Sequence, residues 1–119
     1  MKILFISDVY FPRVNGVSTS IRTFVEQMQQ LGHEVHLIAP EYAHKTEDES
    51  WIKRVDARSI YFDPEDKLMK WSAAIKMLPE LRRENYDMIH VHTPFVAHYL
   101  GLKLARELSI PCVETYHTF

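Results

Sequence analysis

The first apolar run, Ile3 to Ile6, is continuous, β-branched at both ends, and stopped by Ser7 and Asp8. A run without alternation fits a strand buried on both faces, as in a parallel sheet covered by helices. Val9 to Gly16 then carry Pro12, Asn15 and Gly16, which is loop chemistry. From Val17, apolar residues recur at Ile21, Phe24, Val25, Met28 and Leu31. That spacing predicts one helix face, with Ser18 or Thr19 as its cap. Gly32 follows, where a left-handed helix terminus favours a residue without Cβ.

The alternation continues down the chain. Glu34 to Ala39 predicts a second strand, closed by Pro40. Tyr42 to Arg58 is polar apart from Trp51 and reads as an irregular excursion with room for a short helix. Ser59 to Phe62 predicts a short third strand. Leu68, Trp71, Ala74, Ile75 and Leu78 have helical spacing, and Pro79 must kink that helix or open a new one. Met88 to Val91 predicts a fourth strand, and Val96, Leu100, Leu104 and Leu108 mark another helix face. Ile110-Pro111 announces a fifth strand running through Thr115. Strand alternating with helix through short connections implies right-handed βαβ units. The expected fold is α/β, a Rossmann-like, mostly parallel sheet with helices on both faces.

Length and composition add bounds. The 119 residues suffice for one domain with a core, and hardly for two. A net charge of -2 leaves no electrostatic footprint for nucleic acid, so no nucleic-acid partner is expected. The opening apolar run is too short for a signal-peptide core or a membrane span, and a cytoplasmic domain is expected. Lys76, Arg82 and Arg83, with Trp51 and Trp71, leave a peripheral contact with the inner membrane face open. Cys112, the single cysteine, sits in an apolar run and is expected to be a buried structural thiol.

In an open parallel sheet, ligands bind beyond the carboxyl ends of the strands. That selects Asp8 to Ser18, Ala39 to Tyr42, His92 to Phe95, and Tyr116 to Thr118. Asn15-Gly16-Val17-Ser18 stands directly ahead of a helix. A glycine there lets backbone approach a ligand, and free N–H groups favour a diphosphate. The alternative is a glycine needed only to turn the chain. Neither a Walker A loop nor Gly-x-Gly-x-x-Gly is present. His90 and His92 point to the same side of their strand, but no third ligand accompanies them, so no metal is expected. His92 ends the strand and is placed for function, whereas His90 is expected to be buried. His117 ends the next strand, so the two should line one cleft. His33, His36 and His44 read as surface or strand-face residues, and Glu47-Asp48-Glu49 as a solvated loop.

Four blocks, in order and over the whole chain, carry a family resemblance. They are Lys2-Ile3-Leu4-Phe5-Ile6-Ser7-Asp8-Val9-Tyr10-Phe11-Pro12-Arg13-Val14-Asn15-Gly16-Val17-Ser18, Leu31-Gly32-His33-Glu34-Val35, Asp87-Met88-Ile89-His90-Val91-His92-Thr93-Pro94-Phe95, and Ile110 through Thr118. Together they resemble the N-terminal lobe of retaining glycosyltransferases of family 4. The resemblance implies a GT-B architecture of two Rossmann-like lobes about a cleft. Residues 1–119 would form a single, incomplete N-terminal lobe, since the chain stops just after a strand that should lead onward. The implied activity moves a hexose from a nucleoside-diphosphate sugar to a lipid or sugar hydroxyl with retention. It needs no cofactor or metal beyond the donor substrate.

By the same resemblance, Gly16 with the backbone of Asn15 and Val17 approaches the donor diphosphate, and His92 faces the reacting centre as the catalytic residue. Tyr10, Arg13, Ser18, Thr93 and His117 would be acceptor-side or cleft-lining. The family's Glu-x7-Glu motif and its basic residues lie in the C-terminal lobe, the implied partner, so the isolated chain is expected to be inactive. Tyr-Phe-Pro, Asn-Gly-Val and Tyr-His-Thr are most similar to members acting on diacylglycerol or phosphatidylinositol. Two alternatives stand beside this: a non-catalytic flavodoxin-like binding or regulatory module, and a lobe of a sugar-nucleotide 2-epimerase. Asp8 and Asp63 are isolated, which disfavours a receiver-like regulator.

Overall fold

The structure, a computed structural model, describes residues 1–42, 47–60 and 63–117. β1 (Lys2–Ile6), α1 (Gly16–Gln30) and β2 (Glu34–Pro40) form the first βαβ unit, and β3 (Ile52–Val55) pairs in parallel with β2. β4 (Ala57–Ile60) and β5 (Asp63–Met69) form a separate antiparallel pair. Two short helices follow, α2 (Trp71–Ile75) and α3 (Leu78–Arg83). β6 (Met88–Val91), α4 (Val96–Leu108) and β7 (Cys112–Glu114) complete the described chain.

Five parallel strands make one sheet in the order β3-β2-β1-β6-β7. Numbered within the sheet this is 3-2-1-4-5, the order of the dinucleotide-binding type rather than the flavodoxin type. The chain reverses direction across the sheet between β1 and β6. Helices cover both faces, which explains the unbroken apolar run of β1. Ile3 and Phe5 pack with Ile21 and Val25 of α1. Leu4 and Ile6 pack with Leu100 and Leu104 of α4.

Several expectations need correction. The stretch read as an irregular excursion contains β3, a paired edge strand, and the start of β4. The expected third strand, Ser59 to Phe62, falls partly on β4, outside the main sheet, and partly on residues 61–62 outside the described ones. Leu68, grouped by spacing with a helix, belongs to β5. Pro79 does open a new helix, in the first turn of α3. Asn15, not Ser18 or Thr19, caps α1: its side-chain oxygen accepts from the Ser18 amide at 3.0 Å. Gly32 does adopt the left-handed conformation, with φ of 88°. Cys112 is half-buried rather than buried.

Gly101 brings α4 close to the sheet. A Cβ there would stand 2.5 Å from Val91 Cγ2, 3.5 Å from Ile89 Cγ2 and 3.7 Å from Cys112 Sγ. Alanine would gain about 1 kcal/mol in helix propensity, against about 1–3 kcal/mol for overpacking. Val91 is β-branched and stiff at χ1, so the overpacking wins. Gly101→Ala is therefore expected to destabilise the chain in a urea titration. In a Val91→Ala background the same change should be neutral or stabilising. A stabilising effect in the native background would contradict the close contact.

Candidate functional site

The loops that leave β1 and β6 at their carboxyl ends flank the switch point, and a buried carboxylate ties them together. Asp8 is fully buried directly after β1. Its carboxylate accepts from Thr93 Oγ1 at 2.8 Å, from the Ala97 amide at 2.9 Å and from the Met69 amide at 3.2 Å. The Asp8 amide in turn donates to Thr93 Oγ1 at 2.8 Å. α4 has no side-chain cap of its own, so Asp8 supplies an acceptor for its first turn from across the switch point. Burial pushes the Asp8 carboxyl above the usual range, while the Ala97, Thr93 and Met69 hydrogen bonds hold it back down.

The β1–α1 loop is held from within. Ser18 Oγ donates to the Arg13 carbonyl at 2.6 Å, and the Arg13 amide donates to the Tyr10 carbonyl at 3.1 Å. Ser18 is buried and its hydroxyl is committed to this closure. The Tyr10 ring is buried in the α1-side core, and its amide donates to the Tyr42 hydroxyl at 3.3 Å. Arg54 on β3 braces the same loop, donating to the Phe11 carbonyl at 2.8 Å and the Pro40 carbonyl at 3.0 Å while paired with Asp48.

Gly16 lies exposed at the start of α1. Its φ is outside the positive range, and a Cβ there would meet nothing within 4 Å. Neither backbone conformation nor packing therefore requires glycine at this position, which removes the chain-turning alternative. Among the described residues nothing accepts from the Gly16 or Val17 amides. Asn15 occupies the Ser18 amide alone.

The histidines are arranged differently from expectation. His92 is 0% exposed, and it is His90 that is half-buried. The His92 ring stacks on Phe5 with centroids 5.1 Å apart, lies 4.0 Å from His90, and stacks on His117 at 5.4 Å. His92 Nδ1 and His117 Nε2 are 3.2 Å apart, and His90 Nε2 is 2.5 Å from Thr115 Oγ1. His117, with Thr93, Pro94, Thr115 and Tyr116, lines an open cavity of about 270 Å³ beside β6 and β7. His117 and Thr93 thus face one cleft, with His92 directly behind His117.

Burial drives His92 down to about 3 and His90 down to about 4, helped by the neighbouring imidazoles, and His117 is also lowered by burial. These groups stay neutral in the fold but take up protons from their ordinary 6.5 once unfolded. The unfolded chain then binds more protons, so stability is full above pH 6.5 and falls as pH drops toward about 4. Each buried histidine is expected to remove about 1.4 kcal/mol per pH unit in that window. Asp8, raised by burial, acts in the opposite direction but is a single group. Urea titrations at pH 7 and pH 5 check this, and equal stabilities at the two would contradict it.

At the other end of the sheet, Glu34, His36 and Glu84 can converge on one point. The Lys2 ammonium already sits there, 3.2 Å from Glu34 and 2.7 Å from Glu84, and His36 Nδ1 meets the Tyr86 hydroxyl at 2.7 Å. His44, Thr118 and Phe119 lie outside the described residues. Reading the sequence missed Asp8 as the tie between loops. A lone acidic residue directly after a doubly buried strand was the available signal.

These features define a Rossmann-like lobe with an open cavity at the carboxyl ends of β6 and β7, next to the strand-order reversal between β1 and β6. The profile of Glycosyltransferase Family 4 matches residues 14–119. The chain belongs to that family and corresponds to the N-terminal part of its relatives. It is 35% identical to the alpha-monoglucosyldiacylglycerol synthase of Streptococcus pneumoniae, over 99% of this chain and 27% of that protein. It is 31% identical to a GDP-mannose-dependent alpha-mannosyltransferase of Mycobacterium tuberculosis, over 99% of this chain and 32% of that protein. The chain therefore spans under a third of these relatives' length. Among solved structures, MurG of Acinetobacter baumannii matches the fold with a TM-score of 0.63 at 18% identity, over 95% of this chain and 34% of that one.

Proposed function

We propose that this chain is the acceptor-side lobe of a retaining glycosyltransferase that moves a hexose from a nucleoside-diphosphate sugar to a lipid or sugar hydroxyl. The observation that carries this reading is Gly16. A glycine that neither the backbone nor the packing needs stands at the start of a fifteen-residue helix, beside two amides with no acceptor among the described residues. Departure of a nucleoside diphosphate develops negative charge, and such amides stabilise an anion without reorganising. Asn15, Gly16 and Val17 are assigned to the donor diphosphate. Thr93 and His117 line the cavity beside β6 and β7, with His92 behind His117; Arg13, Ser18 and Tyr10 shape the loop that carries Gly16. No metal or cofactor is assigned, and the remaining charge stabilisation falls to a C-terminal lobe.

The relatives' names favour a glycerolipid or mannosyl product, and a lipid acceptor implies contact with a membrane face. Among the described residues, no helix is long and apolar enough to cross a membrane. Peripheral contact by a cytoplasmic protein is supported by exposed Trp71, which lines one surface groove with exposed Tyr99 of α4. Trp51 fits this less well, since its Nε1 donates to Glu49 at 2.5 Å. The receiver-like alternative loses further ground because Asp8 is sealed by hydrogen bonds instead of facing an open acidic pocket.

The test is to incubate the complete protein with a panel of nucleoside-diphosphate hexoses and with lipid and sugar acceptors, and to read the product's anomeric configuration by NMR. Transfer with retention is expected, and residues 1–119 alone should give none. Inversion, or transfer to no acceptor, would overturn the proposal.

A further inference from the structure

His92 and His117 share one hydrogen bond, between Nδ1 and Nε2 at 3.2 Å, and a single proton occupies it. A neutral imidazole carries one N–H and one lone pair, so the nitrogen that owns this proton fixes the tautomer of both rings. The other ring nitrogen of His92, Nε2, is buried and has no hydrogen-bond partner among the described residues. If His92 carried its proton on Nε2, that N–H would be orphaned in the core. Orphaned buried N–H groups are rarer than under-satisfied acceptors. Placed on Nδ1, the proton is donated to His117 and only a lone pair is left buried.

The consequence passes to His117. Accepting at Nε2, a neutral His117 must hold its own proton on Nδ1. That nitrogen has no hydrogen-bond partner among the described residues, and the side chain lines the cavity with Thr93, Thr115 and Tyr116. His90 does not compete for the shared proton, because its Nε2 is engaged with Thr115 Oγ1 at 2.5 Å. Burial keeps His92 neutral across physiological pH, so one proton is all it has to place.

We propose that His92 is a positioning residue that locks His117 as its Nδ1–H tautomer, making His117 a neutral hydrogen-bond donor to an oxygen of the substrate held in this cavity. The assignment to a substrate oxygen rests on the transferase reading, whereas the tautomer does not. His117 then orients an oxygen and does not act as the general base.

The test is a long-range ¹H–¹⁵N correlation spectrum of the ¹⁵N-labelled chain at neutral pH, which separates protonated from bare ring nitrogens. His92 and His117 are both expected to be protonated at Nδ1 and bare at Nε2. His92→Asn places an amide N–H near the position of Nδ1 and should preserve the His117 pattern. His92→Phe keeps an aromatic ring in the stack but removes the donor, and should shift His117 toward its Nε2–H form. A proton on His92 Nε2 in the wild-type chain, or an unchanged His117 in His92→Phe, would overturn the proposal. The wild-type spectrum decides even where a variant fails to fold. Absence of sugar transfer by the complete protein would remove the transferase reading and leave the tautomer result standing.

Discussion

Asp8→Ala is expected to cost about 3 kcal/mol or more of folding stability, because a buried carboxylate accepting three hydrogen bonds leaves each donor unsatisfied when it goes. The donors belong to three different places: the β6–α4 loop, the first turn of α4 and the end of β5. None can turn to water, since Thr93, Ala97 and Met69 are themselves buried. The loss should be strongly non-additive with Thr93→Val, whose hydroxyl both donates to the carboxylate and accepts from the Asp8 amide. A urea titration of the two single variants and the double variant measures it. A cost for Asp8→Ala below about 1 kcal/mol would mean that the network does not hold the two loops together.

That network was hidden from the sequence for a physical reason. Asp8 and Thr93 are 85 positions apart, and they meet only because β1 and β6 are neighbours in the sheet. The 3.2 Å contact of His92 with His117 arises likewise from β6 pairing with β7. What the sequence did carry was local. The doubly buried strand β1 shows as a short apolar run, β6 as a short stretch interrupted by His90, and α1 and α4 as faces repeating every three or four residues. β3 escaped notice because an edge strand can carry Lys53 and Arg54, whose charges read as loop. β5 escaped because Leu68 falls in register with the apolar residues of α2.

Within the candidate site, Gly16 was legible and its setting was not. Resemblance pointed to Gly16, but only the structure shows that neither φ nor packing asks for glycine there. Resemblance also pointed to His92 as the group at the reacting centre. That ring is buried, with His117 lining the cavity in front of it, and the proposed division of tasks between the two histidines rests on this.

The second large effect is expected at Gly16, and it separates function from folding. Gly16→Ala adds a Cβ into open space at an ordinary φ, so stability should hold or rise by up to about 1 kcal/mol. Gly16→Trp also meets no neighbouring atom at Cβ, so the fold should survive. Its indole would occupy the approach to the Gly16 and Val17 amides. Loss of such anion-stabilising donors costs about 100-fold or more in turnover.

The most direct measurement is therefore nucleoside-diphosphate-sugar turnover by the complete protein carrying glycine, alanine or tryptophan at position 16, with folding checked in each by circular dichroism. A folded Gly16→Trp variant that has lost at least about 100-fold in turnover is expected, with Gly16→Ala intermediate. A folded Gly16→Trp variant that turns over donor at the wild-type rate would contradict the placement of the diphosphate at the start of α1.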